Sequence, residues 1–382
     1  MKISVITVCM NRVSTIEKAI QSVINQEYKE LEYIVIDGGS IDGTVDIIKK
    51  YEKYFTYWIS EADEGIYDAM NKGIAKSTGD IIAFLNSDDW YEDNTLARVN
   101  SYFEKYDPMI LTGKVNMLQK GKWTKYIGVL ESDKENIRME MIYRQPATFV
   151  RREVFDQLGG FNTRYKISAD FEWMLRVHDS GMEIMHVEDV LTNFSSAGIS
   201  NTNIDLTIRE SREIALEGLN KCERYGRREK EEWRTKNNKY YDEKKARMDI
   251  RKIIRSQQIS DYSELKSLVS SYFTERSYVV WGIGIIGEDI YNLLTQFGME
   301  IDFFVDKKAN ESALLFHNRE VLTPQRLAYG KKVIIAVLEC EDEIVDQLEE
   351  MGFQKSRDFI LYSTILSKLV ETYEQCYMNM EE

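Results

Sequence analysis

Short apolar, β-rich runs alternate with helical patterns through the first hundred residues, and that alternation restricts the fold more than any other feature of the chain. ISVITVC leads into a helical pattern in which Ser14 and Glu17 read as a capping box, and LEYIVID into one beginning near Asp42. FTYWIS leads into a third helix around Tyr67 to Ala75, which is followed by the apolar run Ile81 to Leu85. Strand and helix at this spacing predict an α/β fold with a parallel sheet and a ligand at the C-terminal ends of its strands. The loops after those runs are where chemistry is expected.

At 382 residues the chain exceeds what one hydrophobic core usually organises, so two domains are expected. From Asn203 to about Gln258 the composition is helical, and at Tyr278 a second strand, turn, helix and strand pattern begins. The expected organisation is a catalytic domain over 1–202, a helical, basic connector over 203–274 and a small Rossmann-like α/β domain over 275–382. In the last of these, Gly282, Gly284 and Gly287 fit GxGxxG between a strand and a helix, and Asp306 closes the next strand. That is the context a dinucleotide fingerprint asks for, which makes NAD or a nucleotide a candidate ligand. The alternative is that the glycines only permit tight packing of helix on strand.

No run approaches the roughly 20 apolar residues of a membrane span, and no signal segment leads the chain, so a cytoplasmic location is expected. Cys9, Cys222, Cys340 and Cys376 are scattered without CxxC spacing, which suits reduced thiols. With only His178, His186 and His317 available, acid and base chemistry falls to carboxylates. A net charge of −14 argues against nucleic acid as a partner. Residues 221 to 255 depart from that average, holding 14 Lys and Arg against 7 Asp and Glu interspersed with Trp233, Tyr240, Tyr241, Ile250, Ile253 and Ile254. Such a helix suits peripheral contact with the inner face of an anionic membrane, or a solvated linker whose apolar side packs on protein.

Three loops carry the candidate site. The first strand runs out through Thr7, Asn11 and Arg12, and the second ends in Asp37-Gly38-Gly39-Ser40. A carboxylate beside glycines at a strand end can accept hydrogen bonds from a nucleobase or ribose, whereas Asp42 is better read as a helix cap. In IIAFLNSDDW, Asn86, Asp88 and Asp89 directly follow an apolar strand. Adjacent carboxylates there repel unless a cation sits between them, and a hard divalent ion bridging phosphate oxygens is the usual solution.

In order and spacing, ISVITVCMNR, YIVIDGGSIDGT, ISEADEGIYDAMNKGIAKSTGDIIAFLNSDDWY and YKISADFEWMLRV resemble family 2 glycosyltransferases of the GT-A fold over about residues 1 to 200. The resemblance implies an inverting, metal-dependent transferase. Its donor would be a nucleoside-diphosphate sugar, a UDP-sugar by preference, and its acceptor a hydroxyl of a glycan or lipid-linked molecule in surface polysaccharide synthesis. It implies nucleoside contacts from Thr7, Asn11 and Asp37, and donor contacts from Asp63, Asp68, Asn71 and Lys72. The Asp88–Asp89 pair matches the metal and diphosphate motif, with Mn²⁺ or Mg²⁺ as cofactor and Asp89 also able to reach the donor. Asn86 departs from the commoner DxD pattern, which leaves Asp88 as the direct metal ligand. Met70 stands where many relatives carry Arg, so a cationic phosphate contact is either absent or supplied by Lys72. Phe194 to Ser200 resembles a loop that closes over the diphosphate.

Inverting transfer needs a carboxylate to take the acceptor proton. Asp170 and Glu172 point about 200° apart on a helix starting at Asp170, so they cannot share one task. The resemblance assigns the base to Asp170, while Glu172 and Gln145 become candidate acceptor contacts. The competing classes are a dinucleotide-dependent oxidoreductase or a binding module acting through the C-terminal glycines.

Overall fold

The computed structural model describes the chain apart from residues 120–121, 128–135, 196–197, 199–202, 223–224, 307–308, 310–313, 328–329, 338–340 and 378–382. It divides into two compact units, Met1–Tyr241 and Asp242–Glu382.

The first unit opens with β1 (Ile3–Cys9), α1 (Ile16–Ile24), β2 (Leu31–Asp37), α2 (Thr44–Tyr51), β3 (Tyr57–Ser60), α3 (Ile66–Lys76) and β4 (Ile81–Phe84). There follow β5 (Trp90–Tyr91), α4 (Thr95–Tyr106), β6 (Ile110–Gln119), β7 (Lys122–Ile127), β8 (Thr148–Arg151), α5 (Arg152–Leu158), α6 (Ala169–Ser180), β9 (Ile184–Ser195), α7 (Ile204–Lys221) and α8 (Arg227–Arg255). The sheet order is β3-β2-β1-β4-β8-β6-β9-β5, with β7 paired to β6. β3, β2, β1 and β4 are mutually parallel, and β8 then turns the sheet antiparallel. Every residue of β1 is buried, as a parallel strand covered on both faces requires.

The helix starts are set by tertiary partners as much as by local caps. The expected Ser14–Glu17 capping box does not form: α1 begins behind Thr15, and the amides of Thr15 and Ile16 both donate to the Arg12 carbonyl at 3.0 Å. Glu17 instead meets Lys50 Nζ at 2.6 Å and the Tyr51 hydroxyl at 2.8 Å. The residue directly before α2 is Gly43, in the left-handed region at φ 99°, and Asp42 ahead of it accepts from the Thr44 amide at 3.0 Å and the Thr44 hydroxyl at 2.6 Å. α3 lies tight on β1 because Gly73 has no side chain; a Cβ there would stand 2.4 Å from Ile6 Cγ2. An aromatic cluster of Phe84, Phe155, Phe161 and Trp173 ties β4, α5 and α6 together, with Phe155 stacked on Trp173 at 4.6 Å.

The helical stretch after residue 203 is divided between the units. Within the first, Tyr241 of α8 is buried with its hydroxyl on the Met139 carbonyl, and Tyr240 donates to Glu140 Oε2 at 2.5 Å. Within the second, Ala246, Ile250, Ile253 and Ile254 belong to the core. The tyrosines and isoleucines of the basic stretch therefore pack on protein, which is the linker reading of this helix. Among the described residues no helix is long and apolar enough to cross a membrane.

Besides the end of α8, the second unit contains α9 (Ser263–Tyr272), β10 (Ser277–Trp281), α10 (Ile285–Gln296), β11 (Glu300–Val305), β12 (Leu314–Phe316), β13 (Arg319–Leu322), β14 (Val333–Ile335), α11 (Glu341–Glu350), β15 (Phe359–Leu361) and α12 (Tyr362–Cys376). Its sheet runs β12-β13-β11-β10-β14-β15 and is parallel except for β12 against β13. Fully buried Asp289 of α10 is held between Arg251 at 2.6 Å and Arg255 at 2.7 Å, which compensates a charge that could not otherwise be buried.

Candidate active site

At the end of β2, Asp37 has no exposed surface and organises its own loop. It accepts hydrogen bonds from the Gly39 and Ser40 amides at 3.1 and 2.9 Å and from the Ser40 and Ser60 hydroxyls at 2.5 and 2.6 Å. Asn11, in the left-handed region at φ 53°, laces the β1 loop to the β2 loop: its side-chain oxygen accepts from the Ile41 amide at 3.0 Å, and its own amide donates to Ser40 Oγ at 2.7 Å. Thr7 lies inside the core, 3.1 Å from the Tyr33 hydroxyl, and presents no surface to a ligand.

Helix α3 sorts its residues onto two sides. Tyr67, Met70 and Asn71, spaced i, i+3 and i+4, meet the segment from 145 to 170. The Tyr67 hydroxyl bonds to the Ile167 carbonyl at 2.7 Å and to Asp170 Oδ1 at 2.9 Å. Gln145 Nε2 donates to Met70 Sδ at 3.4 Å, and Asn71 exchanges two 2.8 Å hydrogen bonds with the Phe161 backbone. On the other side, the Lys72 ammonium contacts Asp63, Glu61 at 3.0 Å and Asp68 at 3.4 Å. These carboxylates hold the Lys72 pKa above its ordinary value, Asp63 first, so the candidate cation for a phosphate is already engaged. Burial pushes the Asp63 carboxyl up, against the pull of Lys72.

Beyond β4, Asp89 is 2% exposed. Its Oδ1 accepts from the Ser195 amide at 2.9 Å, tying the acidic turn to the end of β9, while its Oδ2 is buried with no hydrogen-bond partner. Burial and then the charge of Asp88 push this carboxyl well above the usual range. Asp88 is also raised by burial, with Arg12 opposing the shift. Gly198 lies beside Asp88, a Cβ there standing 3.8 Å from Asp88 Oδ2; residues 199 and 200 of the same loop lie outside the described residues. An orphaned buried carboxylate oxygen next to a second raised acid is a pair that a divalent cation would satisfy, but among the described residues no group of three or more His, Cys, Asp or Glu side chains is placed to hold a metal ion by itself.

Asp170 stands in the first turn of α6, its Oδ1 accepting from the Phe171 amide and from Tyr67, both at 2.9 Å. Burial raises its pKa, opposed by Tyr67, the helix-start amides and Arg144. Glu172 points away and pairs with Arg176 at 3.0 Å, and Arg176 in turn donates to the Leu158 and Gly160 carbonyls. That ion pair gives Glu172 a structural partner of its own.

Comparison with known proteins decides the family. A profile of glycosyl transferase family 2 matches residues 4–161. A PGL/p-HBAD biosynthesis glycosyltransferase of Mycobacterium bovis (strain BCG / Pasteur 1173P2) is 30% identical over 214 residues, covering 53% of this chain and 80% of that protein. The chain belongs to glycosyl transferase family 2. This glycosyltransferase is also 28% identical over 198 residues to glycosyltransferase AglE of Haloferax volcanii, covering 50% of itself and 65% of AglE. Among solved structures, S. aureus TarS superposes with a TM-score of 0.50 at 17% identity over 62% of this chain and 43% of TarS. A shorter TarS structure in complex with UDP-GlcNAc gives the same TM-score and identity and is covered to 71%. The likeness is one of fold, and the fold is GT-A.

The C-terminal unit of this glycosyltransferase lies beyond the matched residues 4–161. There the expected glycines separate: Gly282 adopts φ +117°, a Cβ on Gly287 would stand 2.3 Å from the Gly282 carbonyl oxygen, and a Cβ on Gly284 would meet nothing within 4 Å. Asp306 follows β11, its amide on the Leu322 carbonyl at 3.0 Å. Glu288 in the first turn of α10 pairs with His317 at 2.8 Å. The names of the relatives are those of transferases, and the oxidoreductase alternative gains no support from them.

The sequence reading does not single out Tyr67 as a site residue, although its helical spacing to Met70 and Asn71 carries a signal. Ser195 falls within the expected Phe194–Ser200 loop, but its bond to Asp89 across 106 residues has no local signal.

Proposed function

We propose that this glycosyltransferase transfers a sugar, with inversion, from a nucleoside-diphosphate donor to a hydroxyl of a glycan or lipid-linked acceptor. A UDP-sugar is the proposed donor. The observation that carries the reading is the division of α3, whose Asp68 and Lys72 face the loop bearing Asp63 while neighbouring Tyr67 contacts Asp170. Adjacent positions on one rigid helix thereby hold the donor-side cluster and the candidate base.

In this reading Asp170 removes the acceptor proton as the acceptor oxygen bonds to the anomeric carbon and the bond from that carbon to the diphosphate breaks. Both hydrogen bonds from Tyr67 and Phe171 fall on Oδ1, which leaves Oδ2 to take the proton. Asp88, with Asp89 beside it, would hold a divalent cation whose charge neutralises the departing diphosphate. Two carboxylates supply only part of such a shell, so phosphate oxygens and water would complete it. Asp37 and Asn11 keep the β1 and β2 loops in the shape the nucleoside meets.

The test measures release of UDP from UDP-sugars with Mn²⁺ and binding of UDP by calorimetry. Asp170→Asn should lose turnover by 10²-fold or more on the order expected for a base, with UDP binding intact. Normal turnover in that variant would falsify the assignment. Asp88→Ala should lose the Mn²⁺ dependence of UDP binding, and an unchanged titration sinks the metal reading.

A further inference from the structure

Glu210 of α7 is 6% exposed and uses both carboxylate oxygens on three consecutive backbone amides. Oε1 accepts from Lys166 at 2.8 Å, and Oε2 accepts from Ile167 at 2.9 Å and Ser168 at 3.0 Å. Those residues lead directly into α6 and Asp170. The Ile167 peptide is gripped on both sides, its N–H by Glu210 and its carbonyl by the Tyr67 hydroxyl, which also bonds Asp170 Oδ1. A buried carboxylate is costly unless fully bonded, and here three N–H groups, which α6 itself cannot satisfy, supply those bonds. The other polar contacts of α7 to this segment are a 3.4 Å hydrogen bond from the Ser211 hydroxyl to the Ser168 hydroxyl and surface ion pairs of small weight from Glu213 and Glu217 to Arg164.

We infer that Glu210 is a positioning residue for the reaction: through the Ile167 peptide it fixes the Tyr67 hydroxyl against Asp170 and so holds the base in its working orientation. The inference rests on Asp170 being the base. It makes α7, which lies beyond the residues 4–161 matched by the family profile, part of the catalytic machinery.

The test needs no substrate. In the full chain labelled with ¹³C-aspartate, the Asp170 carboxyl is assigned by its loss in Asp170→Asn and titrated by NMR. Asp170 is faced by Tyr67 from α3 and by the charge of Arg144, with Glu210 behind Tyr67. Glu210→Asp keeps the charge but is one methylene too short to span the three amides. The single Tyr67 hydrogen is shared between the Ile167 carbonyl and Asp170 Oδ1. Once the carbonyl moves out of reach the hydroxyl should turn wholly to Asp170, and the titration should move down by roughly one unit, away from that of Tyr67→Phe. The double variant should titrate as Tyr67→Phe alone does, because both act through one contact. A purely structural Glu210 would lower the melting temperature and leave the titration unmoved; that result, or shifts that add independently, overturns the inference. Arg164→Ala serves as the control that loosens α7 without touching the Ile167 peptide. Turnover in Asp170→Asn reports separately on the base assignment, so the two readings fail by different measurements.

Discussion

The Tyr67 hydroxyl stands 2.9 Å from Asp170 Oδ1, joining residues 103 positions apart and coupling α3 to the start of α6. This bond favours the ionised carboxylate, whereas burial favours the protonated one and wins.

Tyr67→Phe should therefore raise the Asp170 pKa further. A base works only when deprotonated, so the acid limb of the pH–rate profile should move to higher pH, with turnover falling several-fold below the limb and little above it. Profiles of UDP release for the two proteins would decide this, and coincident acid limbs would remove Tyr67 from the mechanism.

Asp89→Asn should stabilise the protein in the absence of metal. The folded pKa of Asp89 is raised above its unfolded value, so the wild type loses stability as pH climbs from the unfolded value toward the folded one. Asn keeps an acceptor for the Ser195 amide and resembles the neutral acid. We expect a melting temperature ~2–4 °C above wild type at pH 7, a gap that closes near pH 4, on the scale of about 1 kcal/mol for a unit of this size. Added Mn²⁺ with UDP should raise the melting temperature of wild type and not of the variant. A variant less stable than wild type at pH 7 contradicts the prediction.

At the opposite end of the sheet, Glu32 is 3% exposed and accepts from Lys2 at 2.7 Å and from Ser4, the Thr78 amide and the Thr78 hydroxyl, each at 2.6 Å. Burial pushes its carboxyl up, but these bonds outweigh it and bring the pKa down from 4.5 to about 2. A depressed carboxylate contributes stability above its unfolded pKa and loses it as pH falls through 4.5 toward 2. The contribution is about 3 kcal/mol at neutral pH. Glu32→Gln should lose a comparable amount at pH 7 and flatten the acid limb, measured by urea unfolding across pH; an unchanged limb assigns acid sensitivity elsewhere.

Gly73→Ala tests whether α3 must lie close on β1. Alanine is the better helix former by about 1 kcal/mol, yet its Cβ would stand 2.4 Å from Ile6 Cγ2. Strain should prevail at about 1–3 kcal/mol, and displacement of Tyr67 and Asp68 should reduce turnover more than the stability loss accounts for. Urea titration and kinetics on one preparation separate the two effects, and a stabilised, fully active variant would show that α3 has room.

Local pattern determined the strand and helix alternation through residue 85, the placement of Asp37 and Asp88–Asp89 at strand ends, and the opposed directions of Asp170 and Glu172. Each follows from periods of 2 and 3.6 residues that any short window displays. Tertiary structure decided the rest. Asp37 spends its oxygens on its own loop and on Ser60 at the end of β3, Lys72 is held by three acids, and the apolar side of the basic helix is packed on protein. Asp89 meets Ser195, Tyr67 meets Asp170, and Glu210 grips the backbone ahead of the base, over separations of 106, 103 and 42 to 44 residues. A hydrogen-bonding group carries in its sequence no mark of which distant partner will satisfy it. Only the folded sheet and the helices laid on it bring those partners within 3 Å of one another.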